Sequence, residues 1–135
     1  MTKTKPCDRS HASARLAIAE NFIEAAELPE MLADDKNVYR GNAQVANYIQ
    51  AGIAAADALC CIELKEHSWG DNHATAVNLI KKVARDGPEL AKALGTLLPL
   101  KTDASYGTGP MTDKVTRAQR AAEKLVRAAR DRLAS

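Results

Sequence analysis

Aromatic side chains are scarce: Phe22, Tyr39, Tyr48, Trp69 and Tyr106 are the only five in 135 residues. Sheets lean on aromatic and β-branched residues, so this shortage, beside abundant alanine and leucine, argues against a β-sandwich and for helix. No alternation of apolar and polar residues marks a strand. Cysteine is sparse too: three residues, an odd number with Cys60 and Cys61 adjacent, do not make a disulfide framework. Neighbouring helical positions point about 100° apart, which would strain a bridge between that pair. The thiols read as small core residues in a reducing cytosol. No run of about 20 apolar residues suggests a membrane span, and no apolar stretch follows the opening basic residues as in a signal peptide. The expectation is a cytoplasmic protein without a membrane partner. Missing as well are a Walker loop, a dinucleotide glycine fingerprint, a Gly-x-Ser-x-Gly elbow and the CxxC, HxxxH or HExxH spacings of metal sites. Neither cofactor nor metal is expected.

What the sequence does hold is helical periodicity. From Asn42 to Glu66 there is no proline and a single glycine, and Val45, Ile49, Ile53, Ala56, Cys60 and Leu64 recur at steps of three and four. Between them run Ala46, Ala51, Gly52, Ala54, Ala55 and Ala58. A helix smooth on several sides lets neighbours approach closely, so this stretch reads as a central helix. The chain is long enough for one core without staples. Residues 1–9 read as a flexible tail, with Pro6 and no periodicity, and residues 10–135 as a single domain.

The other helices follow in order. Ser10 reads as the N-cap of a helix over about residues 11–33, striped by Leu16, Ala19, Phe22, Ile23 and Ala26, with Pro29 kinking or ending it. Asp34 to Asn37 form a polar connection. Asp71 or Asn72 caps a third helix, Gly87 closes it, and Pro88 opens a fourth carrying Leu90, Leu94, Leu97 and Leu98. Pro99 bends the chain before a loop at Gly107–Pro110. Thr116 and Gln119 have capping-box spacing at the head of a last helix whose inward positions are Ala118, Ala122, Leu125, Val126, Ala129 and Leu133. The fold class is all-α, an antiparallel bundle of four or five helices.

Charge is unevenly spread. Residues 1–66 carry seven Lys/Arg against ten Asp/Glu, and residues 67–135 carry twelve against seven. The second half is the better face for an anionic partner. On the last helix Arg117, Arg120, Lys124 and Arg127 fall on one side, a row suited to phosphate contacts or, more plainly, to solvent and the helix C-terminus.

Three stretches together resemble the HEPN domain, a small helical bundle of prokaryotic toxin–antitoxin, defence and nucleotidyltransferase-associated proteins. These are the central run Ala54–Ile80 with its Gly70-Asp71-Asn72-His73 junction, the segment Leu98–Gly107, and Val115-Thr116 followed by an alanine-spaced basic helix. The resemblance spans roughly residues 12–133 and implies a HEPN-like fold and a homodimer. Its ribonuclease members carry an arginine followed, after four to six residues, by a histidine. Lys101 stands for the arginine and Tyr106 for the histidine. Tyrosine, with an ordinary pKa of about 10, seldom exchanges a proton near neutrality as histidine does. Lysine keeps the charge but loses the two-pronged grip on phosphate.

The expectation is therefore a catalytically degenerate HEPN-like module that binds RNA, a nucleotide, or a protein partner such as a cognate nucleotidyltransferase. A metal-independent ribonuclease using Lys101, Tyr106 and His73 is the alternative, and a purely structural interaction module a third. Asp57, Asp71 and Asp103 join the basic row as ligand-binding candidates. Two readings of Asp57 stand: a structural partner of Lys101 or a backbone donor, or a wall of a polar pocket with His73. His67 is placed to meet His73 near the same pocket.

Overall fold

The computed structural model describes residues 3–31, 38–70 and 72–135. It is mostly helical, with one very small sheet. The elements are β1 (Thr4–Pro6), α1 (Arg9–Met31), α2 (Arg40–Leu64), β2 (Glu66–Ser68), α3 (His73–Ile80), α4 (Gly87–Leu97), α5 (Lys101–Tyr106) and α6 (Val115–Ala134). Short 3₁₀ turns at Leu98–Leu100 and Thr112–Lys114 lead into α5 and α6. The Asp34–Asn37 connection lies outside the described residues.

Long-range pairings fix the directions of the four longer helices. Gln44 donates to the Ala26 carbonyl (3.2 Å), and Arg15 pairs with Asp57 (3.2 Å), so α2 runs back along α1. Asn42 bonds the Gly109 carbonyl and the Met111 amide just before α6, while Arg132 near its end reaches Glu63 near the end of α2. Those two helices therefore run the same way. Lys124 meets Glu89 and Arg130 meets Glu20, which sets α6 against both α4 and α1. The result is an up-and-down arrangement of α1, α2, α4 and α6, with α2 and α6 in contact as one diagonal.

Small residues make that diagonal possible. Ala51, Gly52, Ala54, Ala55 and Ala58 on α2, and Ala118, Ala122 and Ala129 on α6, are all buried. A Cβ at Gly52 would stand 2.2 Å from Leu97 Cδ1 and 3.4 Å from Leu125 Cδ1. Tyr48, Ile49, Leu59, Leu90, Leu94, Leu97 and Leu125 fill the centre, each large apolar side chain contributing about 1.5–3 kcal/mol by leaving water. By length and composition alone α2 is apolar enough to cross a membrane, contrary to expectation, but 67% of that window is buried inside the protein.

The N-terminal segment departs most from the sequence reading. In place of a tail, β1 pairs antiparallel with β2, Lys5 opposite His67. Cys7 forms a disulfide with Cys61, so the expectation of free thiols fails for two of the three; only Cys60 remains free. The bridge was hidden because it joins positions 54 apart rather than the adjacent pair. Lys5 Nζ sits 3.2 Å above the Trp69 ring, which is half-exposed. The strand itself has no alternating signature because three residues are too few to show one.

Caps are corrected in detail. Asp8, not Ser10, receives the His11 amide (2.9 Å) at the start of α1, which continues through Pro29 to Met31. Asn72 caps α3, accepting from the Ala74 and Thr75 amides. The expected Thr116–Gln119 box does not form: α6 already begins at Val115, and Gln119 donates instead to Glu123 (3.2 Å).

Candidate functional site

Three of the singled-out residues, Asp57, His73 and Lys101, meet around one cavity of about 170 Å³. Ile53 and Asp57, one turn apart on α2, form one wall. Ser68 and Gly70 come from β2 and its following turn, His73 and Ala76 from α3, and Leu98 and Lys101 from the entry to α5. Asn72 turns the chain here by capping α3, and so presents His73 at the cavity mouth. Asp71 lies outside the described residues.

Asp57 does not pair with Lys101. Its partner is Arg15 of α1, at 3.2 Å, with about a fifth of the carboxylate side chain (19%) still exposed. Burial pushes its pKa above the ordinary 3.8, and the charges of Arg15, His67 and His11 work against that rise. His67 turns away from His73 to stack on His11, ring centroids 4.7 Å apart, with its Nδ1 2.8 Å from the Ser68 carbonyl oxygen. His11 Nε2 and Arg15 Nε are buried without hydrogen-bond partners. The sequence reading missed both residues. The available signal was a polar pair at i and i+4 beside the apolar stripe through Ala12, Leu16 and Ala19.

Lys101 is half-buried, and no carboxylate among the described residues pairs with it. Tyr106 is 84% exposed and does not line the cavity. Five helical steps place it about 140° around α5 from Lys101, so one chain does not bring the two together. Asp103 is exposed, and its carbonyl receives the Gly107 amide (3.1 Å).

Nearby cysteine chemistry is quiet. Cys61 is held in the disulfide, and burial, with Asp57 and Glu66 close by, pushes the Cys60 thiol up to about 12. It stays protonated and is a poor nucleophile or ligand. Among the described residues no three His, Cys, Asp or Glu side chains converge as metal ligands.

The basic row divides. Arg117, Arg120 and Lys124 line an open groove between α4 and α6, joined by Lys92 and faced by Glu89 and Asp113. Arg127 instead lines a hollow between α1 and α6, with Glu20, Glu24, Glu123 and Arg130. Arg132, further along the same helix, is buried. It donates to Glu63 (2.9 Å) and to the Ala84 carbonyl (3.2 Å), and lies 3.7 Å from Asp86, so it closes the bundle rather than facing a ligand. No model of a known protein family matches this chain, and no curated protein sequence matches it either.

Proposed function

We propose that this chain is a catalytically degenerate HEPN-like bundle that binds RNA without cleaving it, in a toxin–antitoxin or defence setting. The observation that carries the reading is the α4–α6 groove. Lys92, Arg117, Arg120 and Lys124 outnumber Glu89 and Asp113 there, and their spacing along two helices suits successive phosphates. The up-and-down helical architecture supports the HEPN-like assignment. Tyrosine in place of the family's histidine favours binding over cleavage, because tyrosine seldom exchanges a proton near neutrality.

Labelled single-stranded RNA incubated with the protein in EDTA tests this directly. The expected result is a salt-sensitive shift with no cleavage. Each lost phosphate contact flattens the salt slope by about 0.7, so Arg117→Gln/Arg120→Gln should reduce it by about 1.4. Cleavage by the wild type that is lost in Lys101→Ala would replace this reading with the ribonuclease. No binding at low salt would leave the structural module.

A homodimer belongs to the same reading, and a monomer mass in light scattering would remove it. The cellular compartment is a separate matter. Disulfides persist in oxidising surroundings and are rare in the cytosol, so the Cys7–Cys61 bond and a cytoplasmic location pull in opposite directions. Thiol trapping in cells decides between them.

A further inference from the structure

We propose that the cavity bounded by α2, β2, α3 and Lys101 binds a small phosphomonoester carried on a hydroxyl-bearing sugar, with Lys101 and His73 on the phosphate and Asp57 on the hydroxyl. This site shares no residue with the α4–α6 groove and does not depend on it.

The walls differ in chemistry. Lys101 is a half-buried ammonium without a carboxylate partner among the described residues, and a desolvated cation is stabilised by an anion. His73, exposed and lining the same cavity, adds ring nitrogens. Asp57, also in the lining, is already anchored by Arg15. A carboxylate has about four acceptor positions, so its remaining capacity suits hydroxyl donors rather than a second cation. With Arg15 offsetting Asp57, Lys101 is the remaining charged side chain among the described lining residues, which suits an anionic group. Ile53, Ala76 and Leu98 supply an apolar surface for the C–H face of a sugar.

The cavity's volume of about 170 Å³ leaves room for several waters. That accommodates a phosphate and part of a pentose, with the rest of a larger ligand at the open mouth. Free ribose 5-phosphate, a nucleoside monophosphate and the phosphorylated end of an RNA strand share this chemistry.

Calorimetric titration of the full chain separates these sources. The probes are inorganic phosphate, ribose 5-phosphate, AMP, and one RNA oligonucleotide with either a 5′-phosphate or a 5′-hydroxyl. The RNA arms use Arg117→Gln/Arg120→Gln protein so that groove binding does not mask the end. Ribose 5-phosphate should bind more tightly than inorganic phosphate, and Lys101→Gln should weaken it about tenfold, or 1.4 kcal/mol. Asp57→Asn should weaken ribose 5-phosphate while leaving inorganic phosphate unchanged. Preference for AMP or for the 5′-phosphorylated strand identifies the source. Affinities that do not change in Lys101→Gln, the same affinity for phosphate with and without the sugar, or no heat at millimolar ligand would each overturn the proposal. Lys101 is half-buried and has no ion-pair partner among the described residues, so its variant is expected to fold and the test stands even if Asp57→Asn does not.

Discussion

Helix α2 is held on two sides by opposite means. Against α6 it presents alanines and a glycine, and the contact is one of shape: Gly52 leaves the space that Leu97 and Leu125 occupy. Towards the start of α1 it is held by discrete bonds: the Cys7–Cys61 bridge, the Arg15–Asp57 ion pair, and the β1–β2 pairing with the His11–His67 stack beside it. The first kind of contact responds to volume and hardly at all to solution conditions. The second responds to reductant and pH. The candidate cavity lies on the second side, through Asp57, so conditions that loosen the clasp also reach that cavity.

Breaking the clasp covalently should have the largest effect. In the chain-entropy account, a bridge closing a loop over 54 residues stabilises by about 4 kcal/mol. Cys7→Ser should lose up to that amount in urea unfolding under oxidising conditions. Adding reductant should bring the wild type down to the variant. If the two differ equally with and without reductant, the bridge is not what holds this end.

The seam should fail differently. Leu125 is fully buried, and truncating such a leucine leaves a cavity that neighbours only partly fill, so Leu125→Ala should cost about 3 kcal/mol. That loss should be the same with and without reductant and flat in pH. A loss that shrinks in reductant would join the two regions into one unit and dissolve the contrast.

The smallest effect sharpens the comparison by pH. Asp57 has a folded pKa raised above 3.8 by burial, so the folded state holds its proton more tightly than the unfolded chain does. Its contribution is fully present below pH 3.8 and is lost as the pH rises through the folded pKa. Asp57→Asn cannot ionise, so its stability should lack that decline even though its absolute value falls with the loss of the Arg15 pair. Parallel pH curves for the two proteins would show that Arg15 fully compensates the burial.

Local pattern made the helices legible. The alanine-rich run predicted α2 to within two residues at each end, and Asn72 and Pro88 marked the starts of α3 and α4, but α3 stops at Ile80 and Gly87 opens α4 instead of closing α3. Asp57 stood out as a carboxylate within an apolar run, His73 by its place in the first turn of a helix and Lys101 through the HEPN resemblance, and the fold gathers all three around one cavity. Partners were not legible. Asp57 was read against Lys101 or a backbone donor, and the choice of Arg15 instead follows from the register of α1 against α2. Arg132 looked like its basic neighbours but rotates into the bundle, where Glu63 and the Ala84 carbonyl receive it.

The helical character, the central place of α2 and the amphipathic face of α6 rest on side-chain periodicity within a few turns, and so were already written in the chain. The Cys7–Cys61 bridge, the clasp over α2, the division of the basic row between two surfaces and the company Asp57 keeps came from packing alone. Each of those joins residues from different elements, and which residues meet is set by how whole helices pack rather than by local spacing.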